Sequence, residues 1–275
     1  MTPNQILKSK IDESIRALRN NERSIVKELI SELSKVREDI NRLVRGTARF
    51  EGAYYRALLR GIDEKINEYR NKMTKAVTTG QETSFKYGGN LVPEIMKGAG
   101  YNYAFGRLSD ELIVTAKELS VDYIKGMTSS MRDDIARRLR QGLLKGENNY
   151  DVARGIDQII GTSKQFGYLN RADIIARTEI GRAYSISRQA RDEESAKILP
   201  GLKKQWISYP GARDKDMGGG RGFVSHVDAN GQIRDVDQPF EVGGEELMAP
   251  RMGEKAENNV NCRCQSVPYM EEWPK

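Results

Sequence analysis

Apolar residues recur every three or four positions along the first 45 residues. The stripe consists of Ile11, Ile15, Leu18, Ile25, Leu29, Leu33, Val36, Ile40 and Leu43. This spacing is typical of a long helix with coiled-coil-like packing, so we predict one helix over residues 6–45. Because so narrow an apolar stripe is not stable in water alone, the helix should pack on another helix of this chain or on a second subunit.

Helical spacing continues through the middle of the chain. Residues 48–77 predict a second helix, folded back on the first, and two breaker-rich stretches at 78–84 and 88–90 then predict a flexible join or an exposed loop. Residues 108–127, 131–144 and 150–160 predict three more helices. The Thr128-Ser129-Ser130 run should cap the start of the second of these helices, and Gly146 should end it.

The apolar period changes after Leu199-Pro200-Gly201. Residues 203–209 alternate as a strand would, around Trp206, and 223–227, 232–236 and 240–242 predict further strands. Asn230-Gly231 favours a two-residue hairpin turn between the second and third of these strands. We therefore predict an α+β chain with a helical region at 1–105, a further helical part at 106–201 and a small β-rich module at 202–275.

Composition and charge limit the classes of function that the chain can have. The chain has 275 residues, 38% of them hydrophobic and 7% aromatic, which predicts elongated helices with much exposed surface. The net charge of +6 lies in the helical body, since residues 1–201 carry +8 and residues 202–275 carry −2. A basic surface favours a polyanion or an acidic protein as a partner, although a solvated helical face explains it equally well. The charged N-terminus and the lack of a long apolar run predict no secretory signal and no membrane span.

The single histidine and both cysteines of the chain fall in its last quarter. His226 precedes the predicted turn, and Cys262 and Cys264 can point their sulfurs the same way if the segment is extended. Zinc prefers four nitrogen and sulfur ligands, so we predict a structural zinc site whose fourth ligand is Asp214, Asp216, Asp228 or water. The alternative is a buried pair of thiols that packs under the hairpin, with the imidazole bonded to a backbone carbonyl.

Other motifs of the sequence give weaker evidence for a chemical function. The Gly218–Gly222 run lacks the Gly-Lys-Ser/Thr ending of a phosphate-binding loop, and no His-Glu-x-x-His arrangement is present. A metal-dependent nuclease or peptidase that uses the His/Cys cluster is nevertheless the alternative function. Arg177, Glu179 and Arg182 form either a charged site or ion pairs that fix helices in register, and the absence of a nearby histidine or cysteine in sequence favours the ion pairs.

Several of these motifs together resemble the phage minor head protein family that is named after the F protein of phage Mu. They are Ile175-Ala176-Arg177-Thr178-Glu179, the Trp206 strand, His226 with the Gly231 turn, Pro239-Phe240, Pro250 and Asn261-Cys262-Arg263-Cys264. The resemblance covers residues 110–268. The chain departs from the family pattern by an insertion at 215–221 and by Asp228-Ala229-Asn230-Gly231 in place of a leucine-containing turn.

The resemblance implies a structural virion protein with no catalytic mechanism. It implies a minor capsid protein of a tailed phage, made in the host cytoplasm, that acts in head morphogenesis at the portal vertex and in DNA packaging or ejection. Expected partners are the portal protein, other capsid proteins, double-stranded DNA and further copies of the chain, with no membrane in the assembled head. Some family members carry a toxin domain after this module, and we expect none here. Arg177, Thr178, Glu179, Trp206 and Asn261 are carried over as structural signature residues.

Overall fold

A computed structural model describes residues 3–46, 52–161, 167–209 and 226–271. Within these ranges the helices are α1 (Pro3–Arg45), α2 (Gly52–Gly98), α3 (Asp110–Lys145), α4 (Asn149–Ile160), α5 (Gly167–Ala196) and α6 (Ala256–Asn259). The strands are β1 (Lys203–Ile207), β2 (Ile233–Asp235), β3 (Phe240–Val242), β4 (Glu245–Leu247) and β5 (Gln265–Tyr269). The predicted α+β class is confirmed. In the part of the chain that is described, every helix is too short or too polar to cross a bilayer.

The chain forms two compact units, and both draw on α1, α2, α3 and α5. Unit 1 comprises Met1–Glu22, Thr79–Lys117 and Arg177–Lys275, and unit 2 comprises Arg23–Thr78 and Glu118–Ala176. All of the described strands therefore lie in unit 1, together with the last two-thirds of α5. The predicted domain boundaries after residues 105 and 201 stay a prediction.

The long first helix is confirmed, and most of its apolar stripe is buried, although Leu43 at its end is 38% exposed. In unit 2 the stripe of α1 and the facing residues of α2 form the core, which contains Val26, Leu29, Leu33, Ile40, Ile62, Ile66, Tyr69 and Met73. Lys72 of α2 reaches Glu32 of α1 with an N···O distance of 2.6 Å. The stripe is thus covered within the chain itself, as the back-folded arrangement predicts.

The flexible join predicted at residues 78–84 and 88–90 is wrong, because α2 runs through both stretches. Asn21 Nδ2 donates to the carbonyl of Gly80 (2.7 Å) and to Ser84 Oγ (2.8 Å), so this part of the helix is tied to α1. At Gly88 a Cβ would lie 2.3 Å from Ser187 Oγ. The glycine therefore serves a close approach of α2 to α5 and does not break the helix.

The predicted helix boundary at Thr128-Ser129-Ser130 is also wrong, because α3 is continuous. Thr128 Oγ1 donates to the carbonyl of Ile124 (2.9 Å), and Ser130 Oγ donates to that of Gly126 (3.0 Å). Hydroxyl groups that bond back by one turn are compatible with a helix interior, so the cap signal was misleading. The predicted stop is confirmed, since α3 ends at Lys145 and Gly146 has a φ of 64°.

The β module contains a three-stranded antiparallel sheet in the order β2-β1-β5 and a two-stranded sheet of β3 and β4. In the larger sheet Lys204 of β1 lies opposite Arg234 on one side and Pro268 on the other. Trp206, Ala229, Phe240, Val242, Leu247, Cys262 and Cys264 form the buried core of the module. The two cysteines are therefore part of this core.

The hairpin predicted around Asn230-Gly231 is wrong in its pairing. Most of the expected strand at 223–227 lies outside the described residues, His226 and Val227 form a bend, and β2 pairs with β1 instead. The Gly231 amide donates to the Trp206 carbonyl (2.8 Å), and the Trp206 amide donates to the Gln232 carbonyl (2.9 Å). Gly231 has a positive φ of 83° but Asn230 does not, so the turn lacks the two left-handed residues of the expected type.

Candidate metal centre

His226, Cys262 and Cys264 come together in the core of the β module. Their ligand atoms all lie within 4.8 Å of one another. His226 Nδ1 is 3.5 Å from Cys262 Sγ and 3.8 Å from Cys264 Sγ. The three residues are 4%, 7% and 1% exposed, so this cluster is shielded from solvent.

Neighbouring elements hold the three side chains in place. His226 begins the turn that leads to β2, where its carbonyl accepts a hydrogen bond from the Ser208 hydroxyl. Its ring packs edge-on against Trp206 of β1, with the ring centroids 6.0 Å apart. The cysteines lie just before β5, and the guanidinium Nε of Arg251 donates to the carbonyl of Cys262 at 2.7 Å. The imidazole and the first thiol thus come from segments that are 36 positions apart in the sequence.

The other ring nitrogen of His226 has a polar partner of its own. Nε2 lies 3.1 Å from Asn258 Oδ1, and Asn258 Nδ2 donates to Glu245 Oε2 at 2.6 Å. Burial opposes ionisation of Glu245, but hydrogen bonds from Asn258 and from the amides of Glu254 and Lys255 hold the pKa of its carboxyl group below the ordinary value. Sequence reasoning missed Asn258 and Glu245, because nothing in an Asn-Asn pair on a four-residue helix indicates a contact with an imidazole.

The two thiols differ in acidity because they contact each other. The hydrogen bond with Cys264 lowers the pKa of the Cys262 thiol, and His226 and the charge of Arg251 lower it further, although burial raises it. The same contact with Cys262, together with burial, raises the pKa of Cys264. One thiolate of the pair is therefore stabilised by the thiol of the other.

The predicted fourth ligands are not part of the cluster in the described residues. Asp214 and Asp216 lie outside those residues. Asp228 is exposed in the turn after His226 and does not belong to the group of donors that converge. The described cluster therefore offers three donor atoms of the types that zinc prefers.

Two of the signature residues contact each other directly. The backbone amide of Asn261 donates to Thr178 Oγ1 of α5 at 3.0 Å, which places the residue before the first cysteine against this helix. Asn261 has a φ of 60°, a conformation that asparagine tolerates better than most residues. This contact explains how a threonine in the middle of the chain and an asparagine near its end belong to one structural feature.

The charged residues of the same helix form ion pairs in a buried setting. Glu179 is 1% exposed, and Arg182 Nε lies 3.3 Å from its Oε2. Arg177 is one of several arginines whose charge acts on Glu22 of α1, where burial raises the pKa of the carboxyl group and the charges of Arg251 and Arg177 oppose that rise. Trp206, the last signature residue, is fully buried in the core of the module.

Arg251 connects the module to α5, and sequence reasoning missed it. It is 1% exposed and has a positive φ of 69°. Its guanidinium donates to the carbonyl of Gly181 and to Ser185 Oγ, each at 3.3 Å, as well as to the carbonyl of Cys262. A Cβ at Gly181 would lie 2.5 Å from Arg251 Nε, so a glycine is required where the guanidinium crosses the helix. A glycine within the otherwise helical run after Arg177 was the available signal for this close approach.

The sequence profile of a family described as phage Mu protein F like protein matches residues 133–267. The match contains α5, all of the described strands up to Val267, and each of the signature and cluster residues. Residues 133–267 are therefore similar to the phage Mu F-like family. The predicted resemblance is thereby confirmed.

Two curated proteins are similar to this Mu F-like chain over about half of its length. One is the NAD(+)–arginine ADP-ribosyltransferase EFV of Enterococcus faecalis, 28% identical over 144 residues, which are 51% of this chain and 27% of that protein. The other is an uncharacterised protein of Haemophilus influenzae, 25% identical over 153 residues, which are 55% of this chain and 28% of that protein. The matched regions thus span just over a quarter of each relative. No solved structure matches the chain.

Proposed function

We propose that this Mu F-like protein is a minor, non-enzymatic structural component of a tailed phage head that acts at the portal vertex. The observation that carries the proposal is the family match, which contains Thr178, Asn261 and the His/Cys cluster. In this role the β module is a rigid unit that holds the long helices in place. The protein resides in the virion. Contacts with further copies of the chain also belong to this proposal.

The burial of the cluster favours a structural role over catalysis. A metal-dependent hydrolase needs an open coordination position that a substrate can reach, together with a general base near the ligands. His226, Cys262 and Cys264 are at most 7% exposed, and the Glu245 carboxylate is already bonded to Asn258 and two backbone amides. A phosphodiester or a peptide bond therefore has no access to this cluster in its present conformation.

The similarity to an ADP-ribosyltransferase does not carry an enzymatic function over to this chain. Only 27% of that protein is matched, and the activity in its name belongs to the whole protein. Transfer of ADP-ribose from NAD(+) to arginine is nevertheless the activity to assay first.

The basic charge of the helical body supports direct binding to packaged DNA. Residues 1–201 carry a net charge of +8, and contacts between lysine or arginine and phosphate weaken steeply as salt is raised. We expect the chain to retard a linear DNA duplex in a gel at low salt. This retardation should be lost at high salt. The absence of retardation even at low salt would remove direct DNA binding from the proposal.

Co-expression with the portal and major capsid proteins of the same phage genome tests the role in the head. We expect the chain to sediment with assembled heads and to be retained by tagged portal protein. Heads that assemble, package DNA and infect normally without the chain would contradict the proposal.

In parallel, the purified chain is assayed with duplex DNA, with a peptide and with NAD(+) plus an arginine acceptor. Turnover that disappears in His226→Ala would establish the enzymatic alternative.

A further inference from the structure

We infer that the β module binds one zinc ion through His226 Nδ1, Cys262 Sγ and Cys264 Sγ, and that Asn258 and Glu245 orient the imidazole for this purpose. The inference concerns how the module is held together. It therefore stands or falls separately from the proposed role in the phage head.

The spacing of the donor atoms fits a tetrahedral ion. Zinc lies about 2.3 Å from a thiolate sulfur and about 2.0–2.1 Å from an imidazole nitrogen, so tetrahedral angles place the nitrogen and the sulfur about 3.5 Å apart. His226 Nδ1 is 3.5 Å from Cys262 Sγ and 3.8 Å from Cys264 Sγ. The three atoms can therefore bind one ion with little movement of the backbone.

The hydrogen bonds behind the imidazole select the tautomer that a metal requires. Asn258 Nδ2 donates to Glu245 Oε2, which leaves Asn258 Oδ1 facing His226 Nε2 as an acceptor. When Nε2 carries the ring proton, it donates a hydrogen bond to this oxygen. The lone pair of Nδ1 is then directed toward the two sulfurs. Metal-binding histidines almost always donate their second nitrogen to an acceptor of this kind.

The types of donor narrow the choice of metal. Thiolate and imidazole ligands favour zinc over magnesium or calcium, which prefer oxygen. The burial of all three side chains suits a structural ion, and a water molecule can complete the tetrahedron. Two thiols and an imidazole can also bond to one another without a metal, so metal content decides between the two arrangements.

Metal analysis of the purified full-length protein, prepared without chelators, tests the inference directly. We expect about one zinc per chain, and a loss of most of it in Cys262→Ser, Cys264→Ser and His226→Ala. Val242→Ala is the matched control, because Val242 lies in the same buried core and is not a ligand. It should lower the melting temperature and keep the zinc.

Cobalt(II) added to metal-free protein provides a second measurement that does not depend on variants. Tetrahedral coordination by thiolates should produce intense visible absorption, and the ion should quench Trp206, whose ring centroid is 6.0 Å from that of His226. Wild-type protein that contains no zinc and shows no cobalt absorption would overturn the inference. So would cysteine variants that keep as much zinc as Val242→Ala.

The orienting role of Asn258 has its own matched pair of variants. Asn258→Ala should weaken zinc binding by about 10- to 100-fold in competition with a chromogenic chelator, because the tautomer is no longer held. Asn259→Ala is the control, since Asn259 is a buried neighbour on α6 that bonds to the backbone of Gly253 and Lys255. Equal losses of zinc affinity in the two variants would refute the orienting role.

Discussion

The two units of this protein are stabilised in different ways. Unit 2 is helical and its core is apolar, and ion pairs such as Arg132 with Asp63 are at least partly exposed to solvent. Unit 1 contains every buried charged side chain that the described residues show. These residues are Glu22, Glu179, Arg188, Arg191, Asp192, Lys204 and Arg251.

This difference shows that one chain can hold its helices in place in two ways, by apolar packing and by hydrogen bonds from buried charged groups. Apolar packing tolerates small shifts, since its strength depends on buried area and shape. A buried guanidinium is more selective, because its position is defined by acceptors at fixed distances and an unmet donor is costly. The part of the molecule that holds the His/Cys cluster is the part organised by such directional contacts.

The largest effect is expected from Arg251→Met. The change removes the donors to the carbonyls of Cys262 and Gly181 and one of the charges that compensate buried Glu22. Loss of one member of a buried charge network costs about 3–5 kcal/mol of the free energy of unfolding. Urea denaturation measures the loss, and hydrogen exchange should place it in peptides from unit 1.

Arg107→Met is the matched control for Arg251→Met. Arg107 is also in unit 1, but its side chain is 83% exposed and pairs with exposed Asp110. An exposed pair contributes about 1 kcal/mol or less. Similar losses in the two variants would mean that burial of the guanidinium is not what distinguishes unit 1.

Leu33→Ala tests the apolar core of unit 2. Leu33 is fully buried on α1, so its truncation should cost about 3 kcal/mol through lost burial and the cavity left behind. Hydrogen exchange should accelerate mainly in peptides from residues 23–78. Leu144→Ala is the control, since Leu144 is 86% exposed on α3 and its truncation should change stability by less than about 0.5 kcal/mol. Equal losses would show that the apolar stripe does not form the core of this unit.

A pH dependence at Lys204 should change stability least for each measured step, which is one pH unit. Burial lowers the pKa of this ammonium group from 10.5 to about 8, against the opposing charges of Asp192, Glu193 and Asp237. Between these values the unfolded chain binds more protons than the folded chain, so stability should rise with pH by at most about 1.4 kcal/mol per unit. The contribution is present above 10.5 and is lost as the pH falls through 8.

Stability curves of Lys204→Met and Lys203→Met, measured over the same pH range, isolate this contribution. Lys204 is fully buried and donates to the Met248 carbonyl at 2.7 Å, whereas Lys203 is partly exposed and pairs with Asp235. The rise with pH should disappear in the first variant and persist in the second. A rise that persists in Lys204→Met would assign the pH dependence to other groups.

Local patterns were sufficient for some of the regular elements, such as α1, and failed at particular residues for identifiable reasons. The three-and-four spacing of α1 predicted its length because a single apolar stripe has to be covered. Gly80 and Gly88 were misinterpreted as breakers. Gly88 allows a close approach to α5, and the Gly80 carbonyl accepts a hydrogen bond from α1, and a linear pattern contains neither contact. Thr128 was misinterpreted as a cap, because its hydroxyl bonds one turn back within α3.

The sequence by itself determined the α+β class, the family and the identity of the three donor side chains, because periodicity and rare residue types are local properties. Only the tertiary structure decided that β2 pairs with β1, that Thr178 contacts Asn261, and that Asn258 and Glu245 lie behind the imidazole. It also revealed Arg251 as the link between α5 and the cysteines. The physical reason is that these contacts join residues up to 83 positions apart, and hydrogen-bond geometry in a buried core depends on the packing of the whole unit.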